Sequence, residues 1–367
     1  MSAPPSPPSP PSPPSPTRAK GAKGASGVAG QVLSAPIVRL VVKRLASALV
    51  IIVVLASLVF FLAQVSPLDP VRAMLGANSS AAAVAQQRKA MGLDDPLPTQ
   101  LGHYLLGLLH GDLGTSYRTR RPVADDLRAF FPATAELALY AVIFALVLGV
   151  LFAVSTSLRW PGARIVRGLL LATASAPTFL LSIGAILVFY KQLGWLPASG
   201  RSSIESAPTG PTGLLTVDGL LAGRGDVSWD AFQHLLLPAL SVSFGAAVAI
   251  GRVLRTSLAI EERSDYARTA RAKGLTEGAV LRHHVVRNAL GPGLSMTGLQ
   301  VGLMFAGVLV VEQIFGWPGI GQYTAQSIPV ADFPAIAGVT LLLGIGYVVI
   351  NTVVDILQGI ADPRINA

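Results

Sequence analysis

The chain has no cysteine and little charge. Without a thiol, disulfides, thiolate metal sites and cysteine nucleophiles are excluded. Asp, Glu, Lys and Arg make up 13% of 367 residues, against about 25% in soluble domains. Hydrophobic residues make up 51%, and mean hydropathy is +0.58. So little polar surface cannot clothe a water-facing globule, and the composition is that of a membrane protein. Also missing are G-x-x-x-x-G-K-[ST], H-E-x-x-H and G-x-S-x-G, so no phosphate loop, zinc helix or nucleophile elbow is visible. Of five histidines only His283 and His284 adjoin. They would point about 100° apart on a helix and do not readily share one metal. Ionisable residues are scarce within the apolar runs, which argues against a proton- or ion-coupled carrier. The net charge of +9 is distributed around those runs and needs no nucleic-acid partner.

Six runs are long enough to span a bilayer: Leu45–Val65, then segments near Leu137–Leu158, Gly168–Tyr190, Leu235–Leu254, Leu294–Phe315 and Ala335–Gly359. At 1.5 Å per residue the first reaches roughly 31 Å. It exceeds a signal-peptide core and reads as a retained helix. The fourth opens on Pro238, taken as a first-turn proline. Basic residues alternate with the runs. Arg18, Lys20, Lys23, Arg39, Lys43 and Arg44 precede the first, and Arg159, Arg164 and Arg167 follow the second. Arg252, Arg255, Arg263, Arg268, Arg271, Lys273, Arg282 and Arg287 follow the fourth, while the intervening loops are balanced or acidic. The positive-inside rule then places both termini and residues 264–292 in the cytoplasm.

The expected fold is an all-α membrane protein with six transmembrane helices. Residues 1–38 form a disordered tail, opening with the Pro/Ser repeat Pro4–Pro16 and then turning basic. Residues 39–65 form the first helix, 66–136 an extracytoplasmic loop, 137–360 a five-helix core and 361–367 a cytoplasmic end. The 66–136 loop should hold a short helix near Ala81–Met91 and an amphipathic segment, Pro98–Leu109, along the interface. Lys191–Gln233, rich in Gly, Pro and Ser, is expected to be irregular.

The charged stretch "DYARTARAKGLTEGAVLRHHVVRNALGP", Asp265–Pro292, carries a finer pattern. Ser264 or Asp265 can cap a helix on which Tyr266, Ala267 and Ala270 share a face. Gly274 suits its left-handed end, Thr276 can cap a second helix striped by Val280, Leu281 and Val285, and that helix ends near Gly291–Gly293. The segment is either a positive-inside loop that holds topology or a docking element that offers a small-residue face to another protein. Further along, Gly298 and Gly302 form a G-x-x-x-G with Gln300 between them, suited to close helix packing or to a translocation path. Glu312 lies near the outer end of the fifth run. Headgroup depth is the expected placement, with a path-lining role as the alternative.

Asp265–Pro292 resembles the EAA loop of ABC-importer permeases, in the form found in the dipeptide/oligopeptide/nickel branch. Further similarities follow in order: SPLDPV (66–71), MGLDDPLPTQ (91–100), GDLGTSYRTRRPV (111–123), PATAELAL (132–139), LGWLPASGR (193–201), HLLLPALS (234–241), RNALGP (287–292), FGWPGIG (315–321) and ADPRI (361–365). They look like landmarks of the first, B-type membrane subunit. Arg268, Thr269 and Ala270 stand where the general pattern has Glu-Ala-Ala.

The resemblance implies a type I ABC importer transmembrane domain that is not an enzyme. It implies coupling through Tyr266, Ala267, Arg268, Ala270, Lys273, Gly274 and Leu275. The implied partners are a second homologous permease, two ABC ATPase subunits that bind ATP and Mg, and an extracytoplasmic solute-binding protein, with no cofactor on this chain. Peptides are the implied substrate, with nickel, haem or another small solute as alternatives. A secondary transporter, a channel or a purely structural subunit are the rival classes.

Overall fold

The computed structural model describes residues 35–65, 69–76, 78–157, 162–205 and 210–361. The Pro/Ser repeat and residues 362–367 lie outside the described residues. The chain divides into two units at Val42/Lys43. Of the first, only residues 35–42 are described, as helix. The second carries the remainder of that helix and every later element.

Among the described residues the regular structure is helical, apart from one bridge between Thr115 and Pro122. Helix α1 (Ala35–Val65) carries the first apolar run. Short helices α2 (Pro70–Leu75), α3 (Ala81–Ala90) and α4 (Leu97–Leu109) follow, the last two at the places read from sequence. Helix α5 (Val123–Ser157) starts 14 residues before the apolar run near Leu137, with Asp125 and Asp126 in its first turn. At roughly 52 Å it outreaches a hydrocarbon core of about 30 Å, so hydropathy alone misses its polar end.

The third run is not one straight helix. α6 (Ala163–Ser175) and α7 (Thr178–Ala185, extended by π-turns through Gln192) bend by 116°. Pro177 explains the break. Ala176 before it adopts φ −88°, ψ 142°, the extended backbone that a following proline favours. Five helices are long and apolar enough to cross a membrane, and counting the bent pair as one span gives six. The segment expected to be irregular contains α8 (Leu215–Leu221) and the start of α9 (Gly225–Glu261). Pro238 therefore lies well inside α9 rather than in its first turn. Neighbouring helices can re-satisfy the backbone that such a proline frees.

Helix α10 (Asp265–Ala272) and α11 (Glu277–Val280) lead through a π-segment, Leu281–Val285, into α12 (Val286–Ile314). Contrary to expectation, helix continues through Gly291–Gly293, with Pro292 inside it. α13 (Ile320–Ser327) and α14 (Phe333–Ala361) complete the chain. The centre is the α5–α9 pair, where Ala141, Ala145, Ala239 and Ala246 are buried together. A Cβ on Gly251 would stand 2.7 Å from the Gly149 carbonyl oxygen and 2.8 Å from the Phe152 ring. The two backbones meet there because neither residue has a side chain.

Candidate functional site

The 264–292 segment is a charged end built on two caps and one glycine. The Ser264 hydroxyl accepts from the Ala267 N–H at 3.4 Å, and the Thr276 hydroxyl accepts from the Ala279 N–H at 3.4 Å. Gly274 holds φ +83° between the two helices, a conformation that disfavours a Cβ. Arg271 ties them together: its Nε donates to Glu277 at 2.8 Å and its Nη1 to the Glu262 carbonyl at 3.0 Å. Tyr266 donates its hydroxyl to Glu261.

The small face of α10 turns inward. Ala267 is 0% exposed and Ala270 5%, packed with Val280, Val285 and Leu258. The expectation that these alanines are offered to another protein is thus corrected. An eight-residue helix is marginal alone, and its small residues let it lie flat on its own chain. Of the apolar stripe Val280, Leu281 and Val285, only Leu281 is exposed. The outward surface belongs to Tyr266, Arg268, Lys273, Gly274 and Leu275. Arg268 reaches only Asp265, at 2.9 Å, with both side chains largely in solvent. Arg263, Arg282 and Arg287 extend this exposed basic surface.

Within α12, a Cβ at Gly298 would stand 2.9 Å from Val354 Cγ1, and one at Gly302 would collide with the Tyr347 ring. These glycines seat α14. Gln300 is half-buried on the same helix. Glu312 is fully buried rather than at headgroup level. It accepts from the Thr134 hydroxyl at 2.6 Å and from the backbone N–H groups of Gly321 (2.6 Å) and Gln322 (3.3 Å). Thr134 in turn accepts from the Ile320 N–H at 2.8 Å. The carboxyl group thereby fixes the start of α13 to α5.

Sequence reading missed what surrounds Glu312. Several of the landmark motifs, scattered along the chain, meet at the end expected to face outward. Trp317 donates its indole N–H to the Ala133 carbonyl at 2.9 Å. Glu136 accepts from Arg201 Nη2 at 2.5 Å and from the Thr216 N–H and hydroxyl at 2.8 and 2.7 Å. Asp126 accepts from Thr119 at 2.5 Å and Tyr323 at 3.1 Å. Asp332 accepts from the Ser116 hydroxyl and from the Arg118 N–H at 3.2 Å. Burial, reinforced by Asp332, pushes the Tyr117 phenol up to about 12. Burial, then Asp126 and Asp332, raises that of Tyr323 against the Ser116 hydrogen bond. The one available signal was placement: Glu136, Asp126 and Asp332 lie outside the apolar runs, and Thr119, Thr134, Arg201 and Trp317 lie within the quoted motifs.

His234 contacts Ser203 and the Asp230 carbonyl, and no group of three or more His, Cys, Asp or Glu able to hold a metal occurs among the described residues. A helical bundle of up to six spans, with a capped helix–glycine–helix at one end, is the architecture expected of the membrane permease of an ABC importer. Matches to known proteins make the assignment particular. The family described as "Binding-protein-dependent transport system inner membrane component" matches residues 145–367, and the N-terminal model of such membrane components matches residues 37–138. This chain belongs to that family and is a multi-pass protein of the inner membrane.

Among its relatives is the probable D,D-dipeptide transport system permease protein of Escherichia coli (strain K12). It is 40% identical over 310 residues, 83% of this chain and 91% of the relative. The dipeptide transport system permease protein of Alkalihalophilus pseudofirmus is 34% identical, covering 88% of this chain and 98% of that one. The glutathione transport system permease protein of Salmonella typhimurium is 34% identical, covering 89% and 98%. A crystal structure of an amino acid ABC transporter overlaps 64% of this chain and 93% of its own with a TM-score of 0.45 at 12% identity, too slight a likeness to bear on the fold.

Proposed function

We propose that this chain is a non-enzymatic permease subunit that translocates di- or oligopeptides across the cytoplasmic membrane. It pairs with a second, homologous permease, and ATP is hydrolysed on two partner ATPase subunits while an extracytoplasmic binding protein delivers the solute. The relatives named for dipeptide transport support the substrate class. Those named for glutathione transport favour a small γ-linked peptide as the second reading.

The exposed face of the 264–276 loop is the observation that carries coupling. Tyr266 and Leu275, each 38% exposed, offer apolar contact. Arg268 and Lys273 offer charge, and Gly274 lets the chain turn tightly between them. In this reading Ala267 and Ala270 act indirectly, by bracing the face from behind. ATP-driven closure of the ATPase pair moves this rigid loop and, through the continuous helix from α11 into α12, shifts the bundle between two access states. Gly298 and Gly302 then serve as packing at the α12–α14 seam, and Glu312 as an outer brace. Gln300 is the residue of that helix left to line a path.

The test is reconstitution of the complex with its ATPases and binding protein, measuring peptide-stimulated ATP hydrolysis and uptake. Tyr266→Ala with Lys273→Glu should leave the permease in the membrane but uncouple it. Full peptide-stimulated hydrolysis and uptake in that variant would refute coupling at this face, and dependence on glutathione but not dipeptides would select the second reading.

A further inference from the structure

A cavity of about 740 Å³ lies beside the outer end of α1, away from the 264–292 loop. Phe60, Tyr104, Tyr117 and Phe333 supply its aromatic walls, and Arg88, Asp69 and Asp112 its charges. Tyr104 stacks on Phe60, with ring centroids 5.9 Å apart. The Tyr104 hydroxyl is buried and meets no hydrogen-bond partner, a condition that a bound group would relieve. Burial also raises its pKa, so the phenol stays a neutral donor.

The charges are unevenly used. Asp69 is doubly held, accepting from the Val71 N–H at 3.0 Å and from Arg88 Nη2 at 2.8 Å. Arg88 makes that one contact and is 40% exposed, which leaves guanidinium N–H groups over. Asp112 accepts from the Gly114 N–H through Oδ1, leaving its other oxygen. One free cationic edge and one free carboxylate oxygen thus share an aromatic cleft.

Depth decides what kind of molecule fits. The apolar span of α1 ends at Val65, so Phe60 and Gln64 stand at the hydrocarbon boundary, where tyrosine rings are favoured. On the same two helices, next in sequence to or near the lining residues, Leu62 is 57% exposed, Leu106 55% and Leu109 75%, and α4 buries no residue. Exposed apolar side chains on the helices that carry the cleft suit acyl chains better than a water-borne solute.

We propose that this cleft binds a zwitterionic phospholipid with a primary ammonium, its phosphate on Arg88 and its ammonium on Asp112. The chains lie against Phe60 and the exposed leucines of α4, and the bound lipid wedges α4 to α1. A free aminoalkyl phosphate shares the headgroup chemistry but not the chains.

Native mass spectrometry of the delipidated, assembled transporter tests this. It would be titrated with phosphatidylethanolamine, phosphatidylglycerol, phosphatidylcholine and phosphoethanolamine. One phosphatidylethanolamine should be retained, about tenfold more tightly than phosphatidylglycerol. Arg88→Gln and Asp112→Asn should each weaken it about tenfold, the size of one lost charge-assisted contact. Asp112→Asn keeps an oxygen for Gly114, so it remains informative if Arg88→Gln loosens α3. Equal retention by wild type and Asp112→Asn would overturn the proposal, as would equal affinity for phosphatidylglycerol. Phosphoethanolamine binding as tightly as the lipid would also overturn it, by making this a soluble-solute site.

Discussion

The two ends of this molecule use the same side chains in opposite ways. At the outer end, Glu136, Glu312, Asp126 and Asp332 are each at most 1% exposed, and every one is surrounded by donors from its own chain. At the 264–292 end, Asp265, Glu277, Arg268 and Lys273 stand in solvent, and their pairings are short-range. A buried carboxylate is tolerable only when its lone pairs are filled, so these four acids are committed to partners within the chain. Exposed pairs contribute little to stability, so the charges of the 264–292 end do little to hold the chain together. The alanines of α10 follow the same division: they are spent on internal packing, and the charged and aromatic residues beside them stay available.

That contrast can be broken most sharply at Glu136. Glu136→Ala leaves the Thr216 N–H without its partner and Arg201 with only the Gly213 carbonyl. It should cost about 3 kcal/mol, the low end for a broken buried pair because Arg201 keeps some solvent, and lower the detergent unfolding midpoint by several degrees. Unchanged stability would mean the outer network is not structural. Glu312→Gln comes next. It can still accept from Thr134, but its amide would then face the Gly321 N–H, at a cost of about 2 kcal/mol, readable as faster proteolysis around residues 316–322. At the inner end, Arg268→Glu should leave the midpoint in place and lower peptide-stimulated ATP hydrolysis about tenfold, a loss of about 1.4 kcal/mol in coupling. A fall in stability with coupling intact would reverse the comparison. The smallest effect is expected from Arg271→Gln. Its bond to Glu277 is partly exposed, so the unfolding midpoint should barely move.

Legibility followed the same line. The six runs, the caps at Ser264 and Thr276 and the turn at Gly274 could be read because each depends on neighbours within a few residues. The 116° bend in the third run was missed because a hydropathy window averages over Pro177, although that proline was there to see. The true start of α5 was hidden by its polar turns, and the interior position of Pro238 by the polar start of α9. Docking by Ala267 and Ala270 was misjudged because a small-residue stripe has the same spacing whether it meets its own chain or another.

By itself the sequence determined that the chain lives in a membrane, roughly where it crosses, which side its basic loops favour and that it has no phosphate loop of its own. These follow from composition and local periodicity, which need no folded partner. Only the tertiary structure decided that Thr134 and Glu136 on α5 clasp α13 and Arg201 respectively, that Glu312 is a buried brace and that α10 turns its alanines inward. Such pairings join residues tens to more than two hundred positions apart, as Ser116 meets Asp332, and are settled by which buried polar group finds a donor once the helices have packed.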